Sequence, residues 1–141
     1  MKIAIDAHCI GRNLAGNGTY TINLLKNLLR LYPNHEWIVY ISSEGKELCN
    51  TDVVKGANIR LLRSSSAPER YFFEMPALLR KDRPDVLHIQ YHGPLFFNCP
   101  KVLMVHDIIY ELFPEYFTFG ERVRLKLMVP FFIKNSSQII T

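Results

Sequence analysis

Short apolar runs rich in branched residues alternate with amphipathic stretches along this chain. The runs Ile3–Ala7, Trp37–Ile41, Ile59–Leu62, Val86–Gln90, Val102–Val105 and Gln138–Ile140 are continuous rather than alternating. That is the pattern of parallel strands covered on both faces. Between the first two, Gly18–Tyr32 puts Ile22, Leu25, Leu29 and Tyr32 on one helical face and closes at Pro33. A second helix is predicted over much of Glu69–Asp82, kinked or broken at Pro76, with Arg83-Pro84-Asp85 leading into the next strand. A third, Glu121–Asn135, contains Pro130 and is expected to bend there. Ser64-Ser65-Ser66-Ala67-Pro68 reads as a mobile loop. Strand, helix and strand in repetition predict an α/β domain, doubly wound with right-handed crossovers. Asn135–Thr141 reads as a turn and then a strand with nothing after it to cover that strand, so a fragment of a longer protein is expected.

Composition narrows the class. At 141 residues, 48% hydrophobic and 21% charged, the chain is sized and composed for one folded core. The longest apolar run, Leu127–Ile133, falls far short of the roughly 20 residues a membrane-spanning helix needs. Asp6 follows only three apolar residues, which argues against a secretory signal. Three cysteines, an odd number with no Cys-x-x-Cys pair, argue against a disulfide framework or a zinc knuckle and for a reducing cytosol. The net charge of +4 allows an anionic partner without naming one.

In an open parallel sheet, ligands bind beyond the carboxyl ends of the strands, where strand order reverses. Polar residues gather there. The first strand exits into Asp6-Ala7-His8-Cys9, the fourth into Tyr91-His92-Gly93-Pro94 and the fifth into His106-Asp107. With a strand order of 3-2-1-4-5, His8, His92 and His106 surround one crevice. Four of the five histidines (His8, His88, His92, His106) lie in or just after these strands. A neutral imidazole both donates and accepts, which suits hydroxyl-rich ligands, whereas the plain alternative is a histidine that caps a strand or packs. Asp107 adds a carboxylate beside His106, whose ring is expected to point into the crevice.

The stretch Gly11–Gly18 reads as a glycine-rich loop into the first helix, with Gly16, Asn17 and Gly18 placed to approach a phosphate. A plain flexible connector is the alternative. No lysine and serine or threonine follow Gly16, so it is no P-loop, and the spacing Gly11, Gly16, Gly18 is not the dinucleotide fingerprint. His88 and His92 are four apart on extended chain, roughly 13 Å, too far to share an ion. No Asp-x-Asp pair, His-Glu-x-x-His or Gly-x-Ser-x-Gly is present, so a metal site is not expected. Arg122, Arg124 and Lys126 beside the apolar stretch Val123–Ile133 can lie on an anionic membrane surface or form the solvated face of a core helix. No recognition helix or stacking platform points to nucleic acid.

Three stretches resemble the group 1 glycosyltransferases. One is Met1–Ala7 with Gly16-Asn17-Gly18-Thr19-Tyr20 and Asn23-Leu24-Leu25. Another is Pro84-Asp85-Val86-Leu87-His88 running on to Gly93-Pro94. The most specific is Val105–Pro114, followed by the basic helix and Ser137–Thr141. The resemblance implies a Rossmann-like, mainly parallel sheet with helices on both faces, the N-terminal, acceptor-side half of a retaining GT-B enzyme. It implies transfer of a sugar from a nucleotide-sugar, a substrate rather than a cofactor, without a metal, to a saccharide or lipid-linked acceptor. On this reading residues 1–141 are one N-terminal domain, truncated at its C-terminal end. The donor is then shared with an absent C-terminal domain, and the isolated chain is inactive. His106 corresponds to the family histidine that reaches the donor sugar, with Asp107 beside it. Gly16–Gly18 correspond to the loop near the diphosphate, although Asn17 and Thr19 depart from the usual Ile or Val and Arg. His8, Tyr91 and His92 are the further candidates for binding substrate. The expected location is the cytoplasm, at the inner face of the membrane if the basic helix touches lipid. Two other readings stand beside this one: a Rossmann-type domain of another sugar-nucleotide enzyme, such as an epimerase or dehydrogenase, and a non-enzymatic interaction domain.

Overall fold

A computed structural model of the chain describes residues 1–11, 15–64 and 66–141. Six parallel strands form one sheet: β1 (Lys2–Asp6), β2 (Glu36–Ser42), β3 (Ala57–Leu62), β4 (Val86–Gln90), β5 (Lys101–Met104) and β6 (Gln138–Ile140). Their order is β3-β2-β1-β4-β5-β6, the assumed order extended by one edge strand. The chain therefore winds outward from β1 in one direction and then, from β4, in the other. β1 is bonded on both sides, Ile5 facing Val39 of β2 and His88 of β4. This is a Rossmann-like α/β architecture, consistent with the N-terminal half of a GT-B fold that the resemblance implies.

Successive residues of the central strands feed two separate cores, which explains their unbroken apolar runs. Ala4, Ile38, Leu87 and Leu103 pack with Met75, Leu79, Val129 and Phe132 on one face. Ile5, Trp37, Val39 and Ile41 pack with Leu25, Cys9 and Val54 on the other. The first of these faces is covered by α3 (Met75–Asp82) and α5 (Phe119–Lys134), the second by α1 (Ala15–Leu31). Two short α-helices, α2 (Ala67–Glu69) and α4 (Ile109–Leu112), accompany them, with 3-10 helices at Ser43–Asn50, Asp52–Val54 and Pro114–Tyr116.

Boundaries differ from the sequence reading where local chemistry intervenes. Helix α1 begins at Ala15, so Gly16, Asn17 and Gly18 lie in its first turn and not in a loop. Gly11, before it, is the glycine whose backbone demands the residue type. Its φ is +81°, and a Cβ there would run into the Glu44 carbonyl. Residues 12–14 of the glycine-rich stretch lie outside the described residues. At the other end of α1, Tyr32 is exposed just past the helix, and its carbonyl accepts the Trp37 Nε1–H at 3.0 Å. Ser66, Ala67 and Pro68 were expected in a loop but start α2, with the Ser66 hydroxyl accepting from the Glu69 N–H. Ser65 is outside the described residues.

The second predicted helix is interrupted, but ahead of Pro76. Arg70–Glu74 forms a π-helical turn between α2 and α3, and the Met75 N–H bonds to the Arg70 carbonyl. Proline has no N–H to offer and its ring presses on the carbonyl four residues back, so the turn before it widens. The third helix starts two residues earlier than predicted, because Thr118 and Glu121 close a capping box, and it continues through Pro130.

Two substitutions separate the two kinds of glycine. Gly11→Ala is expected to destabilise the domain by about 2 kcal/mol or more, through strain at positive φ and the clash with Glu44. Gly16 has open space where a Cβ would stand, so Gly16→Ala should be neutral or up to about 1 kcal/mol more stable. Urea unfolding of both variants checks the pair, and a loss at Gly16 equal to that at Gly11 would contradict it.

Candidate functional site

The carboxyl edge of the sheet opens into a cavity of about 420 Å³ where β1 and β4 part. His8 and Cys9 line it from the end of β1, Gln90, Tyr91 and His92 from the end of β4, and Asp107 from beyond β5. Asn17 of α1, Arg70 of the π-turn and Arg124 of α5 also line it. The strand-end position of His8, Tyr91, His92 and Asp107 was legible in the sequence; the arrival of Arg70 and Arg124 was not.

Asp6 anchors one side. Its carboxylate is 1% exposed and accepts from the His8 N–H at 3.2 Å, the His8 Nδ1–H at 2.8 Å and the Tyr71 hydroxyl at 3.3 Å. Burial pushes this carboxyl up, but the charge and hydrogen bonds of His8, with the positive Arg70 nearby, bring it below the usual range. With Nδ1–H donated to Asp6, His8 keeps Nε2 for a ligand or a proton. The Tyr71 ring meets His8 edge-on at 5.7 Å and His92 at 5.1 Å, so the π-turn holds both imidazoles.

A second polar chain holds His106. The Thr21 hydroxyl donates to the Asn17 carbonyl at 2.7 Å, which can only accept, so Thr21 receives the Gln90 Nε2–H at 2.6 Å. The Gln90 Oε1 then faces His106 Nε2 at 2.7 Å and requires the hydrogen on that nitrogen. His106 Nδ1 is thereby an acceptor. The ring packs 4.9 Å from Tyr20 and 5.6 Å from Tyr91, centroid to centroid. Burial lowers its basicity, with Asp107 partly opposing, so it is neutral at pH 7. His106 stands two residues beyond β5 and is not among the residues lining the cavity; its partner Gln90 is.

Asp107 accepts the Tyr91 hydroxyl at 2.9 Å and the Ile109 N–H at 3.1 Å, pinning the turn after β5. Tyr91 itself has φ +57°, a left-handed conformation uncommon for a non-glycine residue. Its N–H bonds to the Met104 carbonyl, so the sheet ladder holds this backbone while the ring turns to Asp107. Gly16 and Gly18 have no positive φ, so their backbone angles are open to other residues. Asn17 between them lines the cavity; Gly16 and Gly18 do not. Among the described residues, no three His, Cys, Asp or Glu side chains are grouped to hold a metal ion.

A family model described as Glycosyltransferase Family 4 matches residues 15–141, nearly the whole chain. The chain belongs to that family. Comparisons with curated proteins and with solved structures give no match. Membership makes this a glycosyltransferase domain, whose substrates are in general a sugar donor and an acceptor. It favours that reading over the dehydrogenase-like and non-enzymatic alternatives. Among the described residues of this glycosyltransferase domain, no helix is long and apolar enough to cross a membrane.

His88 sits behind the site, buried in β4, with Nε2 3.2 Å from the Tyr20 hydroxyl and Nδ1 unpartnered among the described residues. Burial drives it down to about 4 from an ordinary 6.5, with Asp6 opposing and His106 adding to the shift. Because the unfolded chain takes up this proton first, the contribution to stability is complete above pH 6.5 and is lost as pH falls toward 4. Between pH 7 and 5 the domain should lose on the order of 2 kcal/mol from this group. Burial pushes His92 down to about 4 as well, so the slope of the urea midpoints across that interval should fall by roughly half in His88→Gln, and an unchanged slope would show that His88 is not a source.

Proposed function

We propose that this domain is the acceptor-side half of a retaining GT-B glycosyltransferase of group 1 type. In the full-length enzyme it works with a C-terminal domain that holds most of the donor, and the 141-residue chain alone does not turn over. The donor is a nucleotide-sugar, and the reaction uses no metal and no cofactor. The observation that carries the reading is the cavity at the point where strand order reverses, on a family 4 domain, with polar strand ends around it.

The chemistry follows from the groups present. As the sugar leaves the nucleotide, negative charge gathers on the diphosphate, and the N–H groups of Gly16 and Asn17 in the first turn of α1 oppose it, with Gly18 one position further in. His106, with its hydrogen fixed on Nε2 by Gln90, offers Nδ1 to a hydroxyl of the donor sugar and holds the ring in position. His8, oriented by Asp6, presents Nε2 to the acceptor hydroxyl. Tyr91, Asp107 and His92 shape the wall between them. Helix α5 exposes Phe119, Val123 and Leu127 beside its basic residues, which suits contact with an anionic membrane surface in the cytoplasm and a lipid-linked acceptor.

Adding nucleotide-sugars to the isotopically labelled chain is expected to shift the amide signals of Gly16, Asn17 and Gly18. The absence of any shift across uridine, guanosine and adenosine diphosphate sugars would show that the first turn of α1 is not the diphosphate site. In the full-length enzyme, His106→Ala should lower turnover by roughly 10²–10⁴ while the melting temperature changes little, since the ring is only partly buried. A less stable variant whose folded fraction turns over normally would make His106 a structural residue instead.

A further inference from the structure

Two openings adjoin at this edge of the sheet. Beside the polar cavity runs an apolar groove of about 250 Å³ formed by Pro68, Phe72, Leu95 and Met128, and the two share His92 and Arg124. Arg70 is the residue whose chemistry is left unfinished. Its side chain is 2% exposed and lines the cavity, yet Nε and Nη1 have no hydrogen-bond partner among the described residues. A buried guanidinium without partners is costly. Here the charge is eased by the Tyr71 ring, 4.8 Å from Cζ, and by the fields of Asp6 and Glu74, which leave those N–H groups unused.

The carboxylates around Arg70 are already engaged. Asp6 takes His8 and Tyr71, and Glu74 takes the backbone N–H groups of Arg63 and Ser64. Of those lining the cavity, Asp107 takes Tyr91 and Ile109, and Glu121 takes Thr118. Arg124, exposed on α5, makes no hydrogen bond or ion pair among the described residues. The cavity thus offers two guanidiniums with donors to spare and carboxylates that already accept from other donors. We propose that Arg70 and Arg124 form a subsite for a phosphate group carried by the sugar acceptor. Two guanidiniums match the charge of a phosphate monoester and its several acceptor oxygens. The adjoining groove takes the hydrocarbon part when that phosphate belongs to a lipid. The assignment to acceptor rather than donor rests on the glycosyltransferase reading; the anion site itself does not.

The test titrates the chain with inorganic phosphate, with decyl phosphate below its micellar concentration, with decyl glucoside and with uridine diphosphate. Binding is measured by calorimetry and the Arg70 Nε–H signal by NMR. Phosphate and decyl phosphate are expected to bind one to one and move that signal, and decyl glucoside to leave it in place. Arg124→Gln, a change at an exposed position, should weaken phosphate about tenfold or more and leave uridine diphosphate unchanged. Decyl phosphate binding at least about tenfold tighter than phosphate supports the lipid source, and equal affinity supports a soluble phosphorylated sugar. An unmoved Arg70 signal, or phosphate affinity unchanged in Arg124→Gln, overturns the proposal. Displacement of phosphate from Arg70 by uridine diphosphate gives the subsite to the donor and overturns the assignment to acceptor. If Arg70 responds to phosphate while uridine diphosphate binds nowhere, the anion site stands and the first turn of α1 is not a diphosphate site.

Discussion

A carboxylate withdrawn from water must be surrounded by donors, and Asp6 at the end of β1 imposes that requirement on its neighbours. His8 answers with its backbone and its ring, and Tyr71 with its hydroxyl, while Arg70 supplies charge without a direct bond. The consequence is geometric. The first strand, the turn after it and the π-turn are tied at one point, and His8, Arg70 and Tyr71 can hardly move without exposing or orphaning a buried charge.

The π-turn gains its meaning from this tie. A regular helix over Ala67–Asp82 would space its residues evenly, whereas the widened turn places Arg70 and Tyr71, adjacent in sequence, both inside. Pro76 makes the widening cheap, since it withholds an N–H and crowds the preceding turn. The same segment then enters the core through Met75 and Leu79. One irregularity thus serves both the cavity wall and the packing of the sheet face.

Across the cavity the polar groups are organised from a backbone carbonyl outward. Asn17 decides the direction of Thr21, Thr21 that of Gln90, and Gln90 the hydrogen of His106. His8 and His106 are therefore oriented through different ring nitrogens, one by a carboxylate and the other by an amide. Burial holds His88 and His106 in their neutral forms at pH 7. Positive charge at the cavity comes from the guanidiniums of Arg70 and Arg124.

The doubly wound α/β class was legible in the unbroken branched runs, because strands buried on both faces leave no alternation. The polar strand ends at His8, Tyr91, His92 and Asp107 were legible too, since a parallel sheet directs every carboxyl end to one edge. The capping box of Thr118 and Glu121 is written locally, in residues three apart, and marks the start of α5. Nothing local distinguishes Gly16, an ordinary helical residue, from Gly11, whose need for positive φ comes from the Glu44 carbonyl across a turn. Nor does any spacing announce that Arg70 meets Asp6, sixty-odd residues away in the chain, or that Gln90 governs the tautomer of His106. The one-dimensional pattern determined which residues stand at the edge of the sheet. Which of them share a proton, a charge or a cavity depended on how α1, the π-turn and α5 close over that edge, because hydrogen bonds and buried charges act over a few ångströms of space and not along the chain.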